Sequence, residues 1–360
     1  MAFAARHALR HVRAASALRM APRAALGASR LFSATRGSRL SETSPNLLSE
    51  TVEVPMSTFE AGTTRRETIP IDSLDENDKV TLEESLGPIQ PLSRSVHQAM
   101  PKTLRDMSIL GKTVLITGGA RGLGHQMARA CAEAGAKTII IFDNQQQLGD
   151  LAAEDLHEKS GVAVAFCKVD VRDDRAIRGA VNNVIERYGA PDVLINAAGI
   201  ADSNLKAEEY CPNKFRRLID INLNGSFHMA QAVGRAMMAA KKPGSIILVA
   251  SMSGSIVNFP QEQSCYNASK AGVIQFAKSI AAEWAKYDIR VNCISPGYMD
   301  TALNRTPDLE AQKKIWCSMT PQSRLGGVDE LNGLCVFLAS DASKFMTGSN
   351  VLIDGGYSCY

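Results

Sequence analysis

The chain has 360 residues, a formal net charge of +3, 45% hydrophobic and 21% charged side chains. That composition suits a soluble globular protein, and no run of about 18 apolar residues provides a membrane-spanning helix. The positive charge is local: residues 1–40 hold eight arginines and no acid, so the remainder carries 32 basic against 37 acidic residues and offers no basic surface for nucleic acid.

In chain order, the first forty residues mix arginine with Ala, Leu, Met and Ser, and the first acid is Glu42. Wound as a helix, such a segment presents an arginine face and an apolar face, the pattern of a mitochondrial transit peptide. Arg30-Leu31-Phe32-Ser33 has the form of a matrix-processing site. The expectation is a transit peptide over 1–40 and a matrix protein. An uncleaved basic tail on a cytoplasmic protein is the alternative. Residues 41–105 carry prolines at 45, 55, 70, 88, 91 and 101 and acids over Asp72–Glu84, which predicts an irregular extension or linker.

From residue 106 a single domain is expected. Short apolar runs recur at Val114–Ile116, Thr138–Phe142, Val162–Phe166, Val193–Ile195, Ile246–Val249, Val291–Ile294 and Val351–Ile353, with amphipathic stretches such as Gly124–Ala134 and Ala176–Tyr188 between them. Uniformly apolar strands alternating with helices predict a seven-stranded parallel sheet covered on both faces, a doubly wound Rossmann domain. Its strand C-terminal ends share one edge, where ligands bind. The eight cysteines are never closer than 18 residues, and only His228 lies beyond His157. Neither a metal site nor a disulfide framework is expected.

Thr117-Gly118-Gly119-Ala120-Arg121-Gly122-Leu123-Gly124 follows the first strand and opens a helix. Glycines permit a tight turn and close approach to a pyrophosphate, and the helix N-terminus offers free N–H groups. The second strand ends at Asp143, whose carboxylate can accept both adenosine-ribose hydroxyls and would repel a 2′-phosphate, favouring NAD over NADP. Arg121 argues the other way, since it can pair with that phosphate.

The spacing T-G-x-x-x-G-x-G resembles the short-chain dehydrogenase/reductase family, and the resemblance runs from about Leu110 to Tyr360. It implies an NAD(P)-dependent oxidoreductase. It implies that Asp170 and Val171 contact adenine. It also implies that Asn196, Ala197 and Gly199, in Asn196-Ala197-Ala198-Gly199, steady the sheet and line the cofactor. Pro296, Gly297, Met299 and Thr301 are then implied to meet the nicotinamide and its carboxamide. A homotetramer built on the helices over 222–235 and 266–286 is implied as well.

Tyr266 and Lys270 are four residues apart and share a helix face. A free tyrosine titrates near about 10, and a neighbouring ammonium favours its phenolate, which a general base needs. The lysine can also hold the nicotinamide ribose. Ser253 lies thirteen residues before Tyr266, the family's serine-to-tyrosine interval, and Ser251 competes with it for contact with the reacting oxygen. Asn222 matches the family's asparagine that holds a water relay behind the lysine.

The loop entering Tyr266 is polar: Asn258, Gln261, Glu262 and Gln263 lie beside the expected pocket. Asn258 and Gln263, with Ser253 and Tyr266, are the expected substrate contacts, since a polyol needs many hydrogen-bonding partners. The run S-M-S-G-x-I-V-N-x-P-Q resembles fungal sugar-alcohol dehydrogenases of the arabinitol, mannitol and sorbose type. With NAD favoured by Asp143, this implies oxidation of D-arabinitol to D-ribulose. An NADPH-dependent 3-oxoacyl-thioester reductase and a non-catalytic nucleotide-binding scaffold are the alternatives.

Overall fold

Strands begin earlier in the chain than the apolar runs indicate. The computed structural model describes residues 52–65, 87–202, 204–301, 304–305 and 309–360. The arginine-rich segment 1–40 and the acids of Asp72–Glu84 lie outside the described residues. Within the extension expected to be irregular, Met56–Glu60 (β1) and Thr63–Arg65 (β2) form a hairpin, and Arg94–Ala99 (α1) and Lys102–Asp106 (α2) are short helices. β1 pairs antiparallel with Ala163–Lys168 (β5), Met56 opposite Cys167 and Phe59 opposite Val164. Met56 and Phe59 are fully buried, one on each face of the sheet.

The domain then alternates as expected: β3 (Thr113–Thr117), α3 (Gly122–Glu133), β4 (Thr138–Asp143), α4 (Gln146–Ser160), β5, α5 (Asp174–Tyr188) and β6 (Val193–Asn196). The second half comprises α6 (Pro212–Ile219), α7 (Gly225–Ala239), β7 (Gly244–Val249), α8 (Ser264–Trp284), β8 (Ile289–Pro296), α9 (Glu310–Met319), α10 (Asn332–Ala339) and β9 (Asn350–Ile353). The sheet order is β2-β1-β5-β4-β3-β6-β7-β8-β9. The seven expected strands, β3 to β9, are all parallel to one another, and the hairpin, antiparallel to β5, raises the sheet to nine.

Period-two alternation splits each strand between two cores. Leu115 and Ile140 join α5, α7 and α8 on one face. Val114, Ile116, Ile139 and Ile141 join α3, α4 and α10 on the other. Burial on both faces explains the unbroken apolar runs. Caps delimit the helices: the Asp173 carboxylate accepts from the Arg175 and Ala176 amides at the start of α5, and Gly161 takes a left-handed φ of 68° after α4. The strand order reverses at β3, so the crevice opens where β3 and β6 end side by side. No described helix is long and apolar enough to cross a membrane.

Candidate active site

The glycine loop sits at that crevice. Gly118 has φ +66°, and a Cβ there would come within 2.8 Å of Ala198 Cα. A Cβ on Gly124 would lie 2.2 Å from Gly118 O. Side chains are therefore excluded where β3 turns into α3, and the first amides of α3 are left bare for an anion. Thr117 Oγ1 donates to Asn196 Oδ1 at 2.6 Å, and the Ala198 amide donates to Thr117 Oγ1 at 3.1 Å, clamping the ends of β3 and β6 together. Asn196 Nδ2 is buried without a partner.

Asp143 ends β4 and is half-buried. Its carboxylate accepts from the Gln145 amide at 3.1 Å and the Ala120 amide at 3.3 Å. Burial pushes its carboxyl above the usual range, while those amides and the Arg121 charge pull it back. Arg121 itself is exposed. Gly122 and Leu123 open α3, and Ala197 follows β6. The Asp170 carboxylate is gripped by the Arg172 guanidinium at 2.5 and 3.0 Å, which lowers its pKa, and Val171 beside it is buried.

Tyr266 and Lys270 lie on the first turns of α8, with Lys270 Nζ 5.7 Å from the tyrosine ring centroid. Lys270 is buried and donates to Val249 O at 2.9 Å. Burial lowers it to about 8, and none of the described ion pairs includes it. Nearby Cys293 is pushed up by burial to about 12 and stays a neutral thiol. Burial also raises the Tyr266 phenol, and a hydrogen bond with the Ser251 hydroxyl opposes that rise.

Both candidate serines lie just past β7. Ser251, two residues past β7, bonds the Tyr266 phenol, and the buried Ser253 Oγ accepts from Gln263 Nε2 at 3.1 Å. The turn after the strand is closed by the Ser253 amide, which donates to Ser251 Oγ at 3.2 Å. Asn222 lies in a π-helical turn, Asp220–Asn224. Such turns recur at functional sites. Its amide is fully used, exchanging bonds of 2.9 Å with Ile200 and donating to Ser269 Oγ at 3.0 Å, which ties the β6 loop to α8 behind Lys270. Gly199 is exposed, and a Cβ there would stand 3.5 Å from Lys270 Nζ.

The two amides expected to meet substrate lie in the loop before Tyr266. Asn258 and Gln263 are buried, and Gln263 Nε2 donates to Asn258 Oδ1 at 2.8 Å and Asn267 Oδ1 at 3.0 Å. These bonds brace the loop. Tyr298, absent from the sequence reading, lies between Pro296–Gly297 and Met299 and stacks on Trp316 of α9 at 4.3 Å. Its signal was its position directly after Pro-Gly. Met299 is buried, and the Thr301 amide donates to its carbonyl at 2.9 Å. No group of His, Cys, Asp or Glu among the described residues could hold a metal ion.

The glycine-rich loop, with no room for a Cβ at Gly118 or Gly124, and the orphaned Asn196 donor fit a dinucleotide. Nucleotide loop and tyrosine share one sheet edge, which defines the class: an NAD(P)-dependent oxidoreductase that interconverts an alcohol and a carbonyl. The family model described as Enoyl-(Acyl carrier protein) reductase matches residues 118–358, and the chain belongs to the short-chain dehydrogenase/reductase family. It is 41% identical over 251 residues to sorbose reductase of Schizosaccharomyces pombe, covering 69% of this chain and 97% of that protein. The NADP-dependent mannitol dehydrogenase of Hypocrea jecorina is 41% identical over 70% of this chain and 94% of its own. The ribulose-forming D-arabinitol 2-dehydrogenase of Candida tropicalis is 40% identical over 69% and 93%. Among solved structures, gox2181 matches with a TM-score of 0.68 at 40% identity, covering 72% of this chain and all of that one.

Proposed function

We propose that the protein oxidises a sugar alcohol to a ketose, D-arabinitol to D-ribulose, with NAD. The observation that carries this reading is that relatives named for arabinitol, mannitol and sorbose are each matched over nearly their whole length. Thr117–Gly124, Asp143, Asp170–Val171, Asn196–Gly199, Lys270 and Pro296–Thr301 would hold the dinucleotide. The bound nicotinamide supplies the hydride acceptor, or the donor in reduction. Tyr266 takes the hydroxyl proton of the substrate as general base, or returns it to a ketone as acid. The Ser251 hydroxyl donates to the substrate oxygen as negative charge gathers there. Lys270 supplies the positive charge that lowers the phenol, and Asn222 keeps α8 in register behind it.

The preference for NAD rests on Asp143. Its carboxylate stands at the end of β4, where an extra phosphate would sit, although three matched relatives are named NADP-dependent mannitol dehydrogenases. Residues 1–40 act as a mitochondrial matrix-targeting segment in this reading, and the enzyme assembles as a homotetramer through α7 and α8. A reporter fused to residues 1–40 that stays diffuse refutes targeting; a monomeric mass by light scattering refutes the assembly.

The deciding experiment is a cofactor-reduction screen of the purified protein with NAD and NADP against arabinitol, mannitol, xylitol and sorbitol. Arabinitol with NAD should give the highest kcat/KM. Inactivity on every polyol, with NADPH-dependent reduction of an acetoacetyl thioester, overturns the reading.

A further inference from the structure

A directional chain of hydrogen bonds ties the loop before Tyr266 to a segment more than thirty residues away. Gln263 Nε2 donates to Asn258 Oδ1 at 2.8 Å. Asn258 Nδ2 donates to the Tyr298 hydroxyl at 3.0 Å, and that hydroxyl donates to Gln261 Oε1 at 2.5 Å. The direction is forced. Once Asn258 presents its carbonyl to the Gln263 amide, only its N–H₂ is left for Tyr298, whose single proton then goes to Gln261.

The Tyr298 ring has little freedom to adjust. It stacks on Trp316 at 4.3 Å and 7°, and meets Tyr357 edge-on at 5.3 Å and 80°. Its backbone leads directly into Met299, whose buried side chain and the Met299–Gly326 bridge anchor the segment. A rigid ring thus grips the loop with its hydroxyl while its backbone belongs to Pro296–Thr301.

We propose that Tyr298 is a positioning residue that couples occupancy of the cofactor side, Pro296–Thr301, to the order of the loop carrying Ser251 to Tyr266. A dinucleotide that steadies Pro296–Thr301 also steadies Asn258 and Gln261 through one hydroxyl, so substrate meets a finished wall only after cofactor is bound. This rests on Pro296–Thr301 being the nicotinamide-side segment; it does not depend on which alcohol is oxidised.

The test is amide hydrogen exchange over residues 254–263 with and without NADH, in the native protein and in Tyr298→Phe, which keeps both ring contacts and removes only the hydroxyl. NADH should slow exchange in the native loop. In Tyr298→Phe it should bind with a Kd within about twofold of native, yet leave exchange unchanged. The KM of the alcohol should rise about fivefold, the worth of one hydrogen bond, with kcat changed less. Asn258→Ala breaks the same chain at its other link and should reproduce the loss, which guards against a Tyr298→Phe protein that does not fold. NADH-induced protection that survives in either folded variant overturns the proposal, as does a tenfold loss of NADH affinity in Tyr298→Phe, which would make the hydroxyl a direct cofactor contact. No turnover of any polyol with the exchange coupling intact would sink the substrate assignment alone.

Discussion

Exchanging the two serines one at a time separates their roles. Ser251→Ala removes the hydroxyl that meets the Tyr266 phenol. If that hydroxyl also steadies the charge developing on the substrate oxygen, its loss should lower kcat by about 10²–10³, or about 3–4 kcal/mol of barrier. Ser253→Ala removes one of three acceptors around Gln263 Nε2, but Asn258 Oδ1 at 2.8 Å and Asn267 Oδ1 at 3.0 Å remain. An amide nitrogen carries two protons, so no buried donor is orphaned, and the cost should be about 1 kcal/mol or less of stability with kcat within about threefold. Steady-state kcat and KM, with thermal melts, should be measured for both single variants and the double. The double variant should match Ser251→Ala in kcat. A hundredfold loss in Ser253→Ala with near-native Ser251→Ala would refute the assignment and restore the serine chosen by spacing.

Asp143→Ala should lower the ratio of kcat/KM for NAD over NADP at least tenfold, and an unchanged ratio would refute its part in cofactor choice. Lys270 titrates near 8 in the fold but near 10.5 when free, so the cost of keeping it charged, about 3 kcal/mol, is fully present below pH 8 and fades as pH rises toward 10.5. Lys270→Met should therefore be inactive yet more stable than native at pH 7, with that advantage shrinking between pH 8 and 10.5; equal melting temperatures at pH 7 would contradict the buried charge. Phe59→Ala empties a fully buried site on β1 and should cost about 3–5 kcal/mol in denaturant unfolding, whereas a native midpoint would mean the hairpin adds nothing to the domain.

Local patterns were legible in the sequence because their causes are local. The strands β3 to β9 announced themselves as apolar runs, and all but the edge strand β9 are buried on both faces. The glycines of Thr117–Gly124 mark a turn with no room for a Cβ at Gly118 or Gly124, and the four-residue step from Tyr266 to Lys270 follows from helix geometry alone. Those signals determined the fold and the class of chemistry. The rest depends on neighbours distant in the chain. β1 has no apolar run of its own and becomes a strand only because the edge of β5 offers it a partner. How Ser251 and Ser253 are presented to Tyr266 depends on how the chain folds back after β7, which a residue count cannot register. Asn258 and Gln263 are polar in either setting, and only packing decides that they bond to each other and, through Tyr298 and Trp316, to α9. Tertiary structure alone assigns such hydrogen bonds, because a side chain's partner is set by where other segments bring their donors and acceptors.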